Sequence, residues 1–185
     1  MLFLEKNLEG KILIASPTLD SNSYFSRAVI YVLRNSTDGS VGLMINQPLP
    51  KLEGNLSVKH EGETISLKST KAYSGGPVDI EKGFVLHLDE HVKLEADPLI
   101  KLSFDIKLLK AVARGRPSAK NSLFLFGYCG WGSGQLEEEI RENDWLVAPP
   151  NKKIIFEIEN CNKWNRYLNL LNVNPVHYVD CAGTC

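Results

Sequence analysis

Apolar residues in this chain come in short runs separated by turn residues, and that spacing predicts strands more often than helices. Ile12-Leu13-Ile14-Ala15, closed by Ser16-Pro17, predicts a short buried strand. Residues 19–27 form a polar connector rich in Asp, Asn and Ser, with an aromatic pair at Tyr24-Phe25. Val29-Ile30-Tyr31-Val32-Leu33 and Val41-Gly42-Leu43-Met44-Ile45 flank Asp38-Gly39, the signature of a β-hairpin. The first of these two runs is apolar on both faces, so it belongs in the middle of a sheet. Pro48 and Pro50 end the second.

Residues 51–71 are polar and weakly patterned, and predict a long loop with one short helix. Strands are expected at residues 83–87, 99–104, 122–128 and 154–158. Leu108, Leu109 and Val112 suit one face of a helix that stops at Gly115. Leu136 and Ile140, four apart, predict a second helix with Glu137, Glu138, Arg141 and Glu142 facing water. Cys161, Trp164, Leu168 and Leu171 predict the apolar stripe of a third, with Cys161 as a core thiol. Strands and helices intermix without βαβ alternation, which points to an α+β class and one domain over residues 1–185.

Composition narrows the function classes. With 185 residues, 43% hydrophobic and 23% charged, the chain can bury a core of ordinary size. A formal net charge of -1 argues against a wholly basic, nucleic-acid-coating surface. The apolar run at residues 1–4 is too short for a signal-peptide core, and no stretch approaches the roughly 20 apolar residues of a membrane span. The expectation is a cytoplasmic protein with no membrane partner. Cysteines at 129, 161, 181 and 185 contain no C-x-x-C pair and read as free thiols.

The most distinctive segment is Gly127-Tyr128-Cys129-Gly130-Trp131-Gly132-Ser133-Gly134-Gln135-Leu136. Read as a glycine-rich loop between a strand and a helix start, it offers backbone N–H groups to an anion. Its spacing matches neither G-x-G-x-x-G nor the P-loop. Glu137, Glu138 and Glu139 in the first helical turn would repel a phosphate, so the structural reading, a tight turn with Ser133 as N-cap, is preferred. Gly130, Trp131, Gly132 and Gln135 remain candidates for binding a ligand or partner. Cys129 invites a thiol-nucleophile or redox-sensor reading, but nothing sets His60, His87, His91 or His177 beside it, and a small apolar filler is the preferred role. His177, Cys181 and Cys185 have helical ligand spacing, yet Pro175 and Gly183 interrupt that segment, and no metal is expected. Lys107, Lys110, Arg114, Arg116 and Lys120 form a run able to meet phosphates, though a solvated helix face explains it as well. Ser74-Gly75-Gly76-Pro77 allows close backbone approach, with Gly75 and Gly76 as candidates. Asn46, ending a buried strand, and Arg27, able to hold a carboxylate bidentately, complete the candidate set.

Together the segments resemble the AlgH/YqgE family of bacterial proteins. The matching pieces are Leu13-Ile14-Ala15-Ser16-Pro17, Phe25-Ser26-Arg27-Ala28-Val29-Ile30-Tyr31, Gly42-Leu43-Met44-Ile45-Asn46-Gln47-Pro48-Leu49 and Ser74-Gly75-Gly76-Pro77-Val78. Gly83-Phe84-Val85-Leu86-His87, residues 127–136, Asn143 and Trp145 follow in the expected order. The resemblance implies a bacterial cytoplasmic protein whose mixed, bifurcated sheet curls into a pseudo-barrel flanked by helices. It implies no established enzymatic activity and no cofactor. A transcriptional-regulator role attaches to the family through a member tied to alginate production. The chain departs from the family where Cys129 stands in place of a small Ala or Ser, and where Cys181 and Cys185 flank Ala182-Gly183. The function expected is a regulatory binding protein acting through a protein partner, with direct nucleic-acid binding the weaker route. The alternative is an enzyme or small-anion binder using residues 127–134.

Overall fold

A strand can bury every residue only if protein covers both of its faces. All four side chains of β1 (Ile12–Ala15) are buried, as are the first four of β2 (Val29–Ser36). The computed structural model describes residues 7–49, 57–60, 63–66, 72–88, 100–103 and 121–175, with residues 57–60, 63–66 and 103 described as backbone only. The further strands are β3 (Gly39–Met44), β4 (Ser57–His60), β5 (Glu63–Ser66), β6 (Ala72–Ser74), β7 (Val78–Leu88), β8 (Ile100–Ser103), β9 (Ser122–Trp131) and β10 (Trp145–Ala148). The helices are α1 (Gln135–Arg141), α2 (Lys152–Phe156) and α3 (Asn160–Leu170).

The predicted hairpin is present: β2 and β3 pair antiparallel down to Ser36 opposite Gly39, so Thr37 and Asp38 form its two-residue loop. The main sheet runs β10-β1-β2-β3-β9-β7-β8, and β2 lies in its interior. The sheet forks at β9. Phe124, Leu125 and Phe126 pair in parallel with β6, whereas Cys129, Gly130 and Trp131 pair antiparallel with β3. Between the two partners stands Gly127, at φ 71°, where its conformational freedom turns the strand. The sheet is open, yet it curls: the Tyr31 hydroxyl of β2 reaches the Ile100 carbonyl of β8 at 3.4 Å. The α+β class and the forked, curled sheet thus match the expectation.

Period-two alternation sends neighbouring residues into two cores. Ile12, Ile14, Val29, Leu43, Leu86 and Leu125 join Trp164, Tyr167 and Leu168 of α3 in the first. Leu13, Ala15, Ile30, Val32 and Met44 join Cys129, Trp131, Leu136 and Trp145 in the second, under α1.

Several expectations need correction. Residues 51–71 hold no helix among the described residues; β4 and β5 pair there antiparallel as a separate two-stranded sheet. The expected strand at 154–158 is instead α2. Asn151 caps it by accepting the Ile154 amide at 3.2 Å, and Ile154 and Ile155 are both buried, so tertiary packing overrides their β propensity. β9 runs on to Trp131, three residues past its predicted end, because Gly127, Cys129 and Trp131 are buried in alternation. The glycine-rich loop shrinks to Gly132, Ser133 and Gly134. Gly134, at φ 72°, is the N-cap of α1, not Ser133, whose hydroxyl donates to the Thr37 carbonyl at 2.6 Å. Both α1 and α3 end in a Schellman motif with asparagine in the left-handed position. Asn143 donates to Ile140 and Asp144 to Glu139; Asn172 donates to Asn169 and Val173 to Leu168.

Candidate functional site

The candidate residues divide between two places. Arg27, Asn46, Gly75 and Gly76 gather where the loop before β2, the end of β3 and the start of β7 meet. Gly130, Trp131, Gly132 and Gln135 lie at the far end of β9, against α1.

In the second place the polar groups are occupied with one another. Glu139 of α1 accepts the indole N–H of Trp131 at 2.7 Å and of Trp145 at 2.8 Å. Its other oxygen accepts the Gln135 amide at 2.8 Å, and Gln135 accepts the Gly132 backbone amide at 2.9 Å. A helix of seven residues is too short to hold itself, so these bonds and buried Leu136 fasten α1 to the sheet. Asn35 extends the network, donating to Glu137 at 2.8 Å while accepting from the Leu8 amide at 3.1 Å.

Gly75 and Gly76 are packing devices. A Cβ on Gly75 would lie 2.2 Å from the Gly127 carbonyl oxygen, and one on Gly76 2.2 Å from the Tyr128 carbonyl carbon. The space these glycines leave is filled by β9, and no ligand can use it. The Cys129 thiol is buried beside them and donates to the Gly75 carbonyl at 3.3 Å. Burial pushes it up to about 12, the opposite of what a thiolate nucleophile needs. Cys161 is exposed, correcting the core-thiol reading; the buried arc of α3 runs through Lys163, Trp164, Tyr167 and Leu168 instead.

The first place is chemically richer. Asn46 uses its whole amide on the backbone, accepting the Val29 amide and donating to the Arg27 carbonyl, both at 2.8 Å. Arg27 itself is exposed, has φ 56°, and sets its guanidinium carbon 5.5 Å from the centre of the Trp164 ring. Trp164 is anchored through its indole N–H to the Ala15 carbonyl at 2.8 Å. Beside it in the chain, Lys163 is buried, only 1% exposed, and donates to the Ile45 carbonyl at 2.9 Å. Its ammonium lies 5.7 Å from the centre of the Tyr73 ring, and burial lowers it to about 8. Next to Tyr73, the Ser74 hydroxyl meets that of Tyr24 at 3.0 Å.

Sequence reasoning named Arg27 and Asn46 but missed Lys163, Tyr73 and the Tyr24–Ser74 pair. A signal for Lys163 existed: a cation one residue from Trp164, at helical spacing from Tyr167, is anomalous on an apolar face. Lys107, Lys110, Arg114, Arg116 and Lys120 lie outside the described residues, as do the 108–115 helix and His177, Cys181 and Cys185. Among the described residues no His, Cys, Asp and Glu group is arranged to hold a metal, and no helix is long and apolar enough to cross a membrane.

Comparison with known proteins agrees with this architecture. The AlgH-like family model, DUF179, matches residues 12–176. A UPF0301 protein of Bradyrhizobium sp. is 35% identical, covering 95% of this chain and 87% of its own. A UPF0301 protein of Sinorhizobium medicae is 37% identical over 91% of this chain and 88% of its own. The solution structure of the AlgH protein from Pseudomonas aeruginosa superposes with a TM-score of 0.68 at 29% identity, covering 97% of each chain. A crystal structure from Corynebacterium diphtheriae, 19% identical, shares the fold with a TM-score of 0.64 over 94% of this chain and 92% of its own. The fold, the order of the motifs and these matches lead to one assignment: the chain belongs to the AlgH-like family.

Proposed function

We propose that this protein is a regulatory binding protein that acts through a macromolecular partner, docked at the end of the molecule that carries Tyr24, Val78 and Ile80. The observation that carries the reading is exposure. Of the four large apolar side chains left exposed among the described residues, three are Tyr24 at 55%, Val78 at 37% and Ile80 at 65%. They lie in one neighbourhood: Tyr24 bonds Ser74, Gly75 packs on Gly127, and Gly127 packs on the backbone of Val78 and Ile80. Exposed large apolar groups collected in one place favour recognition of a protein surface. The regulatory element of the reading, including transcriptional control, comes from the family resemblance. A net charge of -1 favours control through a protein over direct duplex binding.

Photo-cross-linking in living cells tests this. A photoreactive residue at position 80 should yield a discrete adduct that one at exposed position 161 does not. Equal patterns from the two positions would defeat the reading. Fluorescence anisotropy with labelled DNA and RNA distinguishes the direct route: binding that weakens steeply with salt would shift the function to nucleic acid.

A further inference from the structure

Two energetically unfavourable features adjoin Trp164, one over its ring and one beside it in the chain. The first is the backbone of Arg27. Four described non-glycine residues have positive φ: Arg27, Asp79, Asn143 and Asn172. Asp and Asn tolerate the left-handed region because their short side chains bond locally; arginine has no such relief, and the conformation is unfavourable for it. Asn46 holds the backbone that follows Arg27, donating to the Arg27 carbonyl and accepting from the Val29 amide. The result is a guanidinium placed over the ring of Trp164, which is itself pinned to Ala15. Arg27 is exposed, so its guanidinium meets solvent as well as the ring. Among the described residues no carboxylate pairs with it.

The second feature is Lys163. A buried ammonium normally has a carboxylate or several acceptors. Here it has one carbonyl, Ile45, and the face of Tyr73, with no carboxylate among the described residues. The acceptor is also the residue before Asn46, so both cations are tied to the same end of β3. The Tyr24–Ser74 hydroxyl pair, adjoining Tyr73, spends one proton on its own bond and keeps one neutral donor. Local rules broken together at one spot are a mark of a functional site. Among the described residues, what the cluster lacks is a carboxylate.

We propose that Arg27, Lys163, Tyr24 and Ser74 form a binding site for an oxyanion, the phosphate or carboxylate group of a ligand. The Arg27 fork is the primary contact, Lys163 adds a second positive charge, and the hydroxyl pair donates beside them. The anion binding first sought at the glycine-rich segment thereby moves to the opposite end of the sheet. The inference does not depend on a macromolecular partner at Ile80, and its test is separate from the cross-linking.

The test is titration of the full ¹⁵N-labelled chain with inorganic phosphate, then with acetate, at ionic strength held constant with sodium chloride. The expected result is saturable movement of the Trp164 indole signal and of the Arg27 and Ala28 amides. The Trp131 and Trp145 indoles, bonded to Glu139, should stay in place. Arg27→Gln should weaken binding at least tenfold, and Arg27→Lys, which keeps the charge but loses the fork, should fall between. Stronger phosphate than acetate binding identifies a phosphate ligand, and the reverse a carboxylate ligand. Shifts that never saturate and that chloride reproduces would overturn the site, as would Arg27→Gln binding phosphate as tightly as the original chain. Should the Gln variant fail to fold, unchanged affinity in Arg27→Lys overturns the bidentate site in its place.

Discussion

At the scale of single residues, what separates a structural from a chemical role is how each polar group is satisfied. Glu139 looked like surplus acid in a helical turn, but it is the acceptor that lets two tryptophans bury their N–H groups. Lys163 is the opposite case, a cation whose burial is poorly compensated, and that has a measurable consequence. Burial lowers its ammonium from the ordinary 10.5 to about 8, so the folded chain releases this proton before the unfolded chain does. Between about pH 8 and 10.5 the unfolded state binds more protons, and this group therefore makes the fold more stable as pH rises, by roughly 2–3 kcal/mol at pH 10. Cys129 works against it. Its thiol is raised from 9.0 to about 12, so the unfolded state loses that proton first and stability falls above about pH 9. Comparison with Lys163→Met cancels the thiol. From pH 7 to pH 10 the difference in urea midpoints should move in favour of the original chain; a constant difference would mean that Lys163 is not buried as a cation. The sequence marked Asn46, at the end of a buried strand, and Arg27, just before the hairpin, as candidates. It could not show that one clamps the other, because that bond spans nineteen residues and needs the hairpin to form first.

At the scale of elements, the fork in β9 governs the middle of the molecule, and glycines that look alike in sequence do different work there. Gly76 has φ 152° and its missing Cβ would strike the Tyr128 backbone at 2.2 Å. Gly130 is exposed, and a Cβ there would meet only the Tyr128 ring at 3.6 Å. Gly76→Ala should therefore destabilise by roughly 2–4 kcal/mol, while Gly130→Ala should stay within about 0.5 kcal/mol. Chemical denaturation of the two variants checks this, and equal losses would mean that the turn after β6 does not pack on the Tyr128 backbone as described. Elements with a clear period were legible: β1, the β2–β3 hairpin and most of α3. α2 and β10 were not, for related reasons. Ile154 and Ile155 have the composition of a strand, and only Asn151 and the packing of α3 make them a helix. Trp145–Ala148 is four residues long, too short to carry a period, and becomes a strand because β1 offers it an edge.

At the scale of the whole molecule, the two cores are not independent. Ile12 and Ile14 enter one and Leu13 and Ala15 the other, and β2 and β3 divide their residues in the same way. Neither core can melt while the shared strands persist, so unfolding should be a single cooperative transition. Trp164 reports on the first core, Trp131 and Trp145 on the second. Variants keeping one of these indoles should give coincident denaturation midpoints; separated midpoints would reveal two folding units.

By itself, the sequence determined the α+β class, the short strands, the central place of β2 and the family, because these follow from local periodicity and from motifs in order along the chain. Tertiary structure alone decided which glycines face backbone and which face solvent, that Cys129 is sealed away, that Arg27 lies over Trp164, that Lys163 faces Tyr73 and Ile45, and that Tyr24 bonds Ser74. The physical reason is separation along the chain. Residues 24 and 74, or 45 and 163, are brought together by strand pairing and helix docking, and no local pattern records a contact of that length.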